Sequence, residues 1–93
     1  MTKVVNIRKE KHDVYIGRAG KGQSGYYGNP FVLGKDGNRD EVLEKYRVYF
    51  DRRINDDPVF RENILALRDQ TLGCFCDPLP CHGHIIVRWL AIQ

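Results

Sequence analysis

Short apolar runs near both ends of the chain predict β-strands. Residues 3–8 (KVVNIR) and 13–18 (DVYIGR) are brief and rich in β-branched and aromatic side chains, a composition typical of strands. Residues 71–75 (TLGCF) form a third apolar run much later in the chain. We therefore expect a small sheet of about three or more strands.

The middle of the chain has a different pattern. Between residues 42 and 54, apolar side chains recur at intervals of three and four, which predicts an amphipathic helix. Its apolar face comprises Val42, Leu43, Tyr46, Tyr49, Phe50 and Ile54. Asn38 is a favourable N-cap for this helix, and Asp40 and Glu41 place negative charge in its first turn.

Two further helices complete the pattern. Asp57 and Pro58 match the N-cap and first position of a helix that runs to about residue 67. A final helix covers about residues 82–92, with an apolar face of Ile85, Ile86, Trp89 and Leu90. The element order β-β-loop-α-α-β-loop-α predicts one small α/β domain over residues 1–93, with a layered sheet flanked by three helices.

A long glycine-rich segment separates the second strand from the first helix. Seven of the nine glycines lie between residues 17 and 37, and long loops in small domains are often functional. The segment does not fit the P-loop consensus. Its backbone amides, together with Arg18 and Lys21, can nevertheless hold an anion.

Residues 28–31 (GNPF) are the more rigid part of this segment. Pro30 has a restricted backbone and keeps Asn29 extended, so this stretch is either a ligand-binding turn or a plain one. Tyr26 and Tyr27 precede it. They can stack on a nucleotide base, or they can pack against the core.

Charge is distributed unevenly along the chain. The net charge is +3, and residues 1–21 contain six basic residues against two acidic ones. This basic region either attracts a phosphate-bearing ligand or is simply solvated. The sequence has no run of about 20 apolar residues and no N-terminal signal pattern, so we expect a cytoplasmic protein with no membrane partner.

The candidate chemistry is concentrated in residues 73–84 (GCFCDPLPCHGH), which contain all three cysteines and two of the three histidines. Cys74 lies near the end of a predicted strand, and Cys81 and His82 lie where a predicted helix begins. Ligands of α/β folds bind beyond the carboxyl ends of the strands, so this segment is the predicted site. We expect thiols in a reducing cytoplasm, although Cys76 and Cys81 can pair under oxidation.

Three interpretations of this cluster remain open. Cys74, Cys76, Cys81 and His84 are ligand types that zinc prefers, although their spacing on one short run is unusual. Alternatively, Cys76 or Cys81 is a reactive thiol beside a helix N-terminus, with His82 as acid or base. In the third interpretation the cluster is structural, and Cys74 is the cysteine most expected to be a buried core residue.

Several motifs taken together resemble the domain of unknown function family 4326. They are residues 4–8, 13–18, 28–31 and 72–76, followed by Pro78 and residues 81–83. The resemblance runs from about residue 3 to residue 92 and implies a small protein of bacteria or their phages, without a defined activity. The residues that carry the family pattern are Gly17, Arg18, Gly28, Asn29, Pro30, Phe31, Cys74, Cys76, Pro78, Cys81, His82 and Gly83.

The closing pattern C-x-C-x-P-x-x-C-H is also similar, more distantly, to the end of the domain of unknown function family 488. That resemblance implies nucleotide or nucleic-acid chemistry. At His84 the chain departs from the usual form, because an acidic residue is common there in relatives. If that acid is a functional ligand or base in the relatives, a histidine here argues against catalytic competence and favours metal binding.

The leading hypothesis is therefore a protein that binds or processes a nucleotide or a nucleic-acid-linked substrate. Its catalytic residues would be Cys76, Cys81 and His82. Its substrate-binding residues would be Arg18, Gly28, Asn29, Pro30 and Gly83, with the amide of Asn29 orienting the substrate and Arg18 holding an anion near the helix N-terminus. The alternative is a non-catalytic module, stabilised by zinc or by its thiols, that binds a protein or a nucleic acid.

Overall fold

The computed structural model of the chain describes residues 2–17, 25–32, 34–75 and 81–93. Within these residues the chain forms three strands and three helices, which confirms the predicted α/β fold class. The strands are β1 (Lys3–Asn6), β2 (Val14–Tyr15) and β3 (Thr71–Cys74). The helices are α1 (Arg39–Asp56), α2 (Pro58–Leu65) and α3 (His82–Ala91). The strands and α2 are shorter than the apolar runs predicted, and the end of α3 differs by one residue.

The sheet is parallel throughout and has the order β1-β3-β2, so β3 lies in the centre. Leu72 of β3 is in register with Val4 of β1 and Val14 of β2. Pairing continues just beyond β2, where the Ile16 amide donates to the Gly73 carbonyl at 2.9 Å. Because all strands run the same way, their carboxyl ends meet at one edge of the sheet.

The two faces of the sheet have different neighbours. Leu72 and Cys74 belong to the buried core that the helices share. Gly73 lies between them in sequence and therefore faces the opposite side. There, a Cβ on Gly73 would lie 2.5 Å from the His12 ring and 2.5 Å from Ile7. The turn after β1 thus covers the second face so closely that only glycine fits beneath it.

The predicted cap of α1 is present. The Asn38 side chain accepts from the Glu41 amide at 2.9 Å, and the Glu41 carboxylate accepts from the Asn38 amide at 2.9 Å. Asp57 caps α2 by accepting from the Phe60 amide at 3.0 Å. Each such cap stabilises its helix by about 1 kcal/mol, because it satisfies an amide that has no partner within the helix.

The predicted apolar face of α1 forms much of the core. Its fully buried members are Val42, Tyr46, Phe50 and Ile54. The hydroxyl of Tyr46 donates to the Tyr27 carbonyl at 3.1 Å, so its burial leaves no unsatisfied group. Burial raises the pKa of Tyr46 well above its usual range.

Within the described part of the chain, no helix combines the length and the apolarity that a bilayer crossing requires.

Candidate functional site

Helix α3 begins at the carboxyl edge of the sheet. Cys81 is its N-cap residue, and the Cys81 sulfur lies 3.4 Å from the sulfur of Cys74 at the end of β3. Next to it, the Nε2 atom of His82 lies 2.5 Å from the Ile16 carbonyl oxygen, just after β2. These two contacts join the start of α3 to the ends of two adjacent strands. The structure therefore brings Cys74, Cys81 and His82 together.

His82 is a buried residue, with 7% of its surface exposed. A carbonyl oxygen only accepts hydrogen bonds, so Nε2 of His82 carries the proton and donates to Ile16. The ring also packs edge-on against the Tyr46 ring, with centroids 5.2 Å apart. This arrangement makes His82 a tether between α3 and the end of β2, and its predicted acid–base role remains a prediction.

The two described cysteines are thiols rather than a disulfide. Cys74 is 1% exposed and Cys81 is 3% exposed, so the prediction that Cys74 is a core residue is confirmed. Their sulfur atoms are close enough for a thiol–thiol hydrogen bond. The predictions for Cys76 and Arg18 lie outside the described residues.

His84 contacts its own helix terminus. Its Nδ1 atom accepts from the Cys81 amide at 3.1 Å, and its amide donates to the Cys81 carbonyl at 3.0 Å. Across residues 2–17, 25–32, 34–75 and 81–93, no three His, Cys, Asp or Glu side chains are grouped so that they could hold a metal ion. Cys74, Cys81 and His84 therefore give the zinc interpretation no support.

Cys81 and His84 line a groove of about 430 Å³ between α1 and α3. Its other lining residues are Asp40, Leu43, Glu44, Arg47, Ile85 and Arg88. Arg47 donates to Glu44 and also contacts Asp51 at 3.4 Å. The hydrogen bond from Arg47 lowers the pKa of the Glu44 carboxyl. Because the two acidic and two basic side chains of the lining balance in formal charge, this groove has little net attraction for an anion.

A second groove, of about 480 Å³, lies beside the glycine-rich segment. It is lined by Gly25, Tyr26, Gly28, Asn29, Pro30, Tyr49 and Arg53, and we call it the tyrosine–arginine groove. Three of the predicted substrate-binding residues, Gly28, Asn29 and Pro30, are among these residues. Gly83, a fourth, is buried where α3 meets the sheet and lines neither groove.

Asn29 holds this loop in place. It is 8% exposed, its amide nitrogen donates to the Val42 carbonyl of α1 at 3.1 Å, and its amide oxygen accepts from the Phe31 amide at 2.9 Å. Gly28 lies against the end of β2, because a Cβ there would be 2.7 Å from the Gly17 carbonyl oxygen. The loop is therefore fixed to α1 on one side and to the sheet on the other.

Arg53 is the cation of the groove, and the sequence did not single it out. Its guanidinium carbon lies 4.0 Å from the centre of the Phe60 ring and 4.8 Å from that of Tyr26. Its Nη1 atom donates to the Tyr49 hydroxyl at 2.8 Å, and its Nε atom lies 3.8 Å from the Asp57 carboxylate. Tyr49, Arg53 and Asp57 recur every four residues, a spacing that could have indicated one shared helix face.

The tyrosines of the loop pack against the core, as the second interpretation of that pair expects. The rings of Tyr26 and Tyr27 meet edge-on with centroids 4.9 Å apart, and both contact buried core residues. The Tyr26 hydroxyl accepts from the Asn63 side chain at 3.0 Å. Both rings are half-buried, so Tyr26 still contributes to the wall of the groove.

Comparison with known proteins places the chain in a family. The sequence profile described as "Domain of unknown function (DUF4326)" matches residues 2–92. An uncharacterized 12.4 kDa protein from the nrdA-td intergenic region of Enterobacteria phage T4 is 38% identical over 89 residues, which cover 95% of this chain and 76% of that protein. An uncharacterized protein of Acanthamoeba polyphaga mimivirus is 30% identical over 105 residues, which cover 91% of this chain and 76% of the relative. No solved structure matches the chain significantly. The chain belongs to the DUF4326 family.

Proposed function

We propose that the protein binds a nucleotide, free or nucleic-acid-linked, in the tyrosine–arginine groove. The composition of the groove carries this proposal: its lining combines a glycine–proline turn with two tyrosine rings and a guanidinium. A nucleotide combines a flat base with an anionic phosphate, and these match aromatic faces and a cation respectively. A volume of about 480 Å³ is within the usual range for small-molecule sites.

Arg53 has the geometry of a preorganised anion ligand. Stacking on Phe60 and the hydrogen bond to Tyr49 fix the guanidinium plane. The Nη2 atom of Arg53 has no hydrogen-bond partner among the described residues, and 25% of the side chain is exposed. Because guanidinium groups pair well with phosphate oxygens, Nη2 is the donor that we assign to the ligand phosphate.

The glycine–proline turn also lines the groove. Gly25 and Gly28 line the groove, and the absence of a side chain lets Gly28 pack directly against the Gly17 backbone. Asn29 and Pro30 make this wall rigid, which lowers the entropy lost on binding. Arg18 remains part of the proposal as a further cation, because it follows Gly17 in sequence and Gly17 contacts Gly28.

The described residues support binding more directly than catalysis. Cys81 and His82 are buried, and their polar atoms contact other parts of the fold. A chemical step by Cys76, Cys81 or His82 therefore stays a prediction. We expect the protein to act in the cytoplasm, where the thiol state of Cys74 and Cys81 is maintained.

A thermal-shift series tests this proposal. Nucleoside monophosphates, nucleosides and inorganic phosphate are added separately to the parent protein and to Arg53→Gln. A ligand at ten times its Kd adds about 1.4 kcal/mol of stability, which raises the Tm of a domain this size by about 6–11 °C. We expect that rise in Tm when nucleoside monophosphates are added to the parent protein, and a smaller rise with nucleosides or inorganic phosphate alone. In Arg53→Gln, nucleoside monophosphates should raise the Tm very little.

Arg52→Gln is the matched control, because Arg52 is the neighbouring arginine on α1, is exposed, and has no partner among the described residues. Each variant is compared with its own ligand-free Tm, so a change in basal stability does not affect the result. Absence of any nucleotide-dependent shift in the parent protein, at millimolar ligand, would refute the proposal.

A further inference from the structure

A second aromatic surface lies on the face of the sheet that the helices leave free. Phe75, directly after β3, is 51% exposed. Its ring lies 6.3 Å from that of Tyr15, and the Tyr15 ring lies 6.5 Å from that of His12. The Arg8 guanidinium lies over Phe75 at 5.2 Å. We call these four residues, Arg8, His12, Tyr15 and Phe75, the aromatic strip.

The charge around the strip is positive. Residues 2–17 contain Lys3, Arg8, Lys9 and Lys11 against Glu10 and Asp13. The Asp13 carboxylate accepts from the Thr71 amide at 2.7 Å and is thereby held at the sheet. By contrast, the side chains of Arg8, Lys9 and Lys11 have no hydrogen-bond acceptor or ion-pair partner in the described part of the chain. Three cations thus lie within residues 8–11 against one anion, Glu10.

The strip is continuous with the tyrosine–arginine groove. The Tyr15 ring packs on Gly17, where an added Cβ would be 2.6 Å from the ring carbon Cζ. Gly17 in turn contacts Gly28, which lines the groove. Contacts through Gly17 and Gly28 therefore connect the half-buried Tyr15 ring of the strip to the lining of the groove.

We infer that the aromatic strip docks single-stranded nucleic acid, whose neighbouring nucleotide occupies the groove. This inference rests on the proposed nucleotide site and names its substrate class. Bases of a single strand can stack on Phe75 and Tyr15, and Arg8, Lys9 and Lys11 neutralise its phosphates. Bases of a duplex already stack within the helix, so a duplex can use only the charges. Single strands therefore bind more tightly than duplexes of the same charge.

Fluorescence anisotropy with labelled oligonucleotides of about eight nucleotides tests the inference. DNA and RNA single strands, a DNA duplex, and a polyglutamate competitor are compared. Phe75→Ala should weaken single-strand binding by about 5- to 100-fold through lost base stacking, and Phe75→Tyr should retain it. Because Phe75 is half-exposed, both variants should fold, and circular dichroism checks this.

Arg8→Ala should weaken binding and reduce the slope of log affinity against log salt by about 0.7, the value for one phosphate contact on a single strand. Arg61→Ala is the matched control, because the Arg61 guanidinium also lies over an aromatic ring, that of Trp89, at 5.3 Å. Arg61 is on α2, away from the strip, and its removal should leave affinity and salt slope unchanged.

The outcomes separate this inference from the proposed function. If mononucleotides raise the Tm but oligonucleotides bind no more tightly, the strip is not a docking surface and the groove proposal survives. If oligonucleotide binding depends on Phe75 but not on Arg53, the strip stands and the groove proposal fails. Equal affinity for duplex and single strand, full competition by polyglutamate, or unchanged affinity in Phe75→Ala would each overturn the inference.

Discussion

His82 offers the sharpest test of how the carboxyl edge is built. In His82→Ala, the Ile16 carbonyl loses its donor in a region where Ile16 itself is 0% exposed. Leaving a buried acceptor without its partner costs about 1–3 kcal/mol, and the lost ring packing on Tyr46 adds about 1 kcal/mol. We expect a loss of about 2–4 kcal/mol from a total of about 5–14 kcal/mol. The Tm should fall by on the order of 10–20 °C.

Urea unfolding followed by circular dichroism measures this loss from the change in midpoint at constant slope. His82→Gln places an amide N–H near the same carbonyl, so it should recover part of the stability. His12→Ala serves as a comparison, because His12 covers the opposite face of the sheet at Gly73. If the free energy of unfolding of His82→Ala lies within about 0.5 kcal/mol of the parent value, His82 does not tether α3 to the end of β2.

Three further predictions concern the same core. Gly83→Ala should cost about 1–3 kcal/mol in urea unfolding, because the new Cβ would lie 2.6 Å from the Ile16 side chain; an equal or more stable protein would contradict the close packing of α3. In a Cys76→Ser variant, the thiols of Cys74 and Cys81 should react with Ellman's reagent only after unfolding, since both are buried; rapid labelling of that variant in native buffer would count against this. Finally, the pKa of Tyr46 is raised in the folded protein. Above pH 10.0, the ordinary pKa of a tyrosine, the unfolded chain releases the phenolic proton of Tyr46 while the folded protein keeps it. Stability from this group is therefore full below pH 10 and decreases as the pH rises further, and urea unfolding at pH 8–11 should show a flatter profile for Tyr46→Phe.

The elements of the fold were readable from the sequence because local rules govern them. The capping box of Asn38 and Glu41, and the Asp57–Pro58 start of α2, depend on residues three positions apart at most. The apolar period of α1 likewise depends only on helix geometry. Element bounds were less accurate: the ladder between β2 and β3 covers Val14 and Tyr15, with a last hydrogen bond at Ile16, whereas the predicted strand ran to residue 18.

The predicted site was only partly readable. The sequence located Cys74, Cys81 and His82 at the meeting point of a strand end and a helix start, and the structure brings them together. It indicated burial for Cys74 but not for Cys81 and His82, because their burial depends on how closely α3 approaches the sheet. Gly83 allows that close approach, and its effect is visible only in its distances to Ile16 and Val4.

By itself, then, the sequence determined the kinds of element, their caps, the family, and the segments that meet at the carboxyl edge. Only the tertiary structure separated the Cys81 groove from the tyrosine–arginine groove, brought Arg53 beside Tyr26 from 27 positions away, and aligned Phe75 with Tyr15 and Arg8. The physical reason is that caps and periodicity involve neighbours along the chain. Grooves and aromatic surfaces instead arise from the packing of distant segments, which no local pattern encodes.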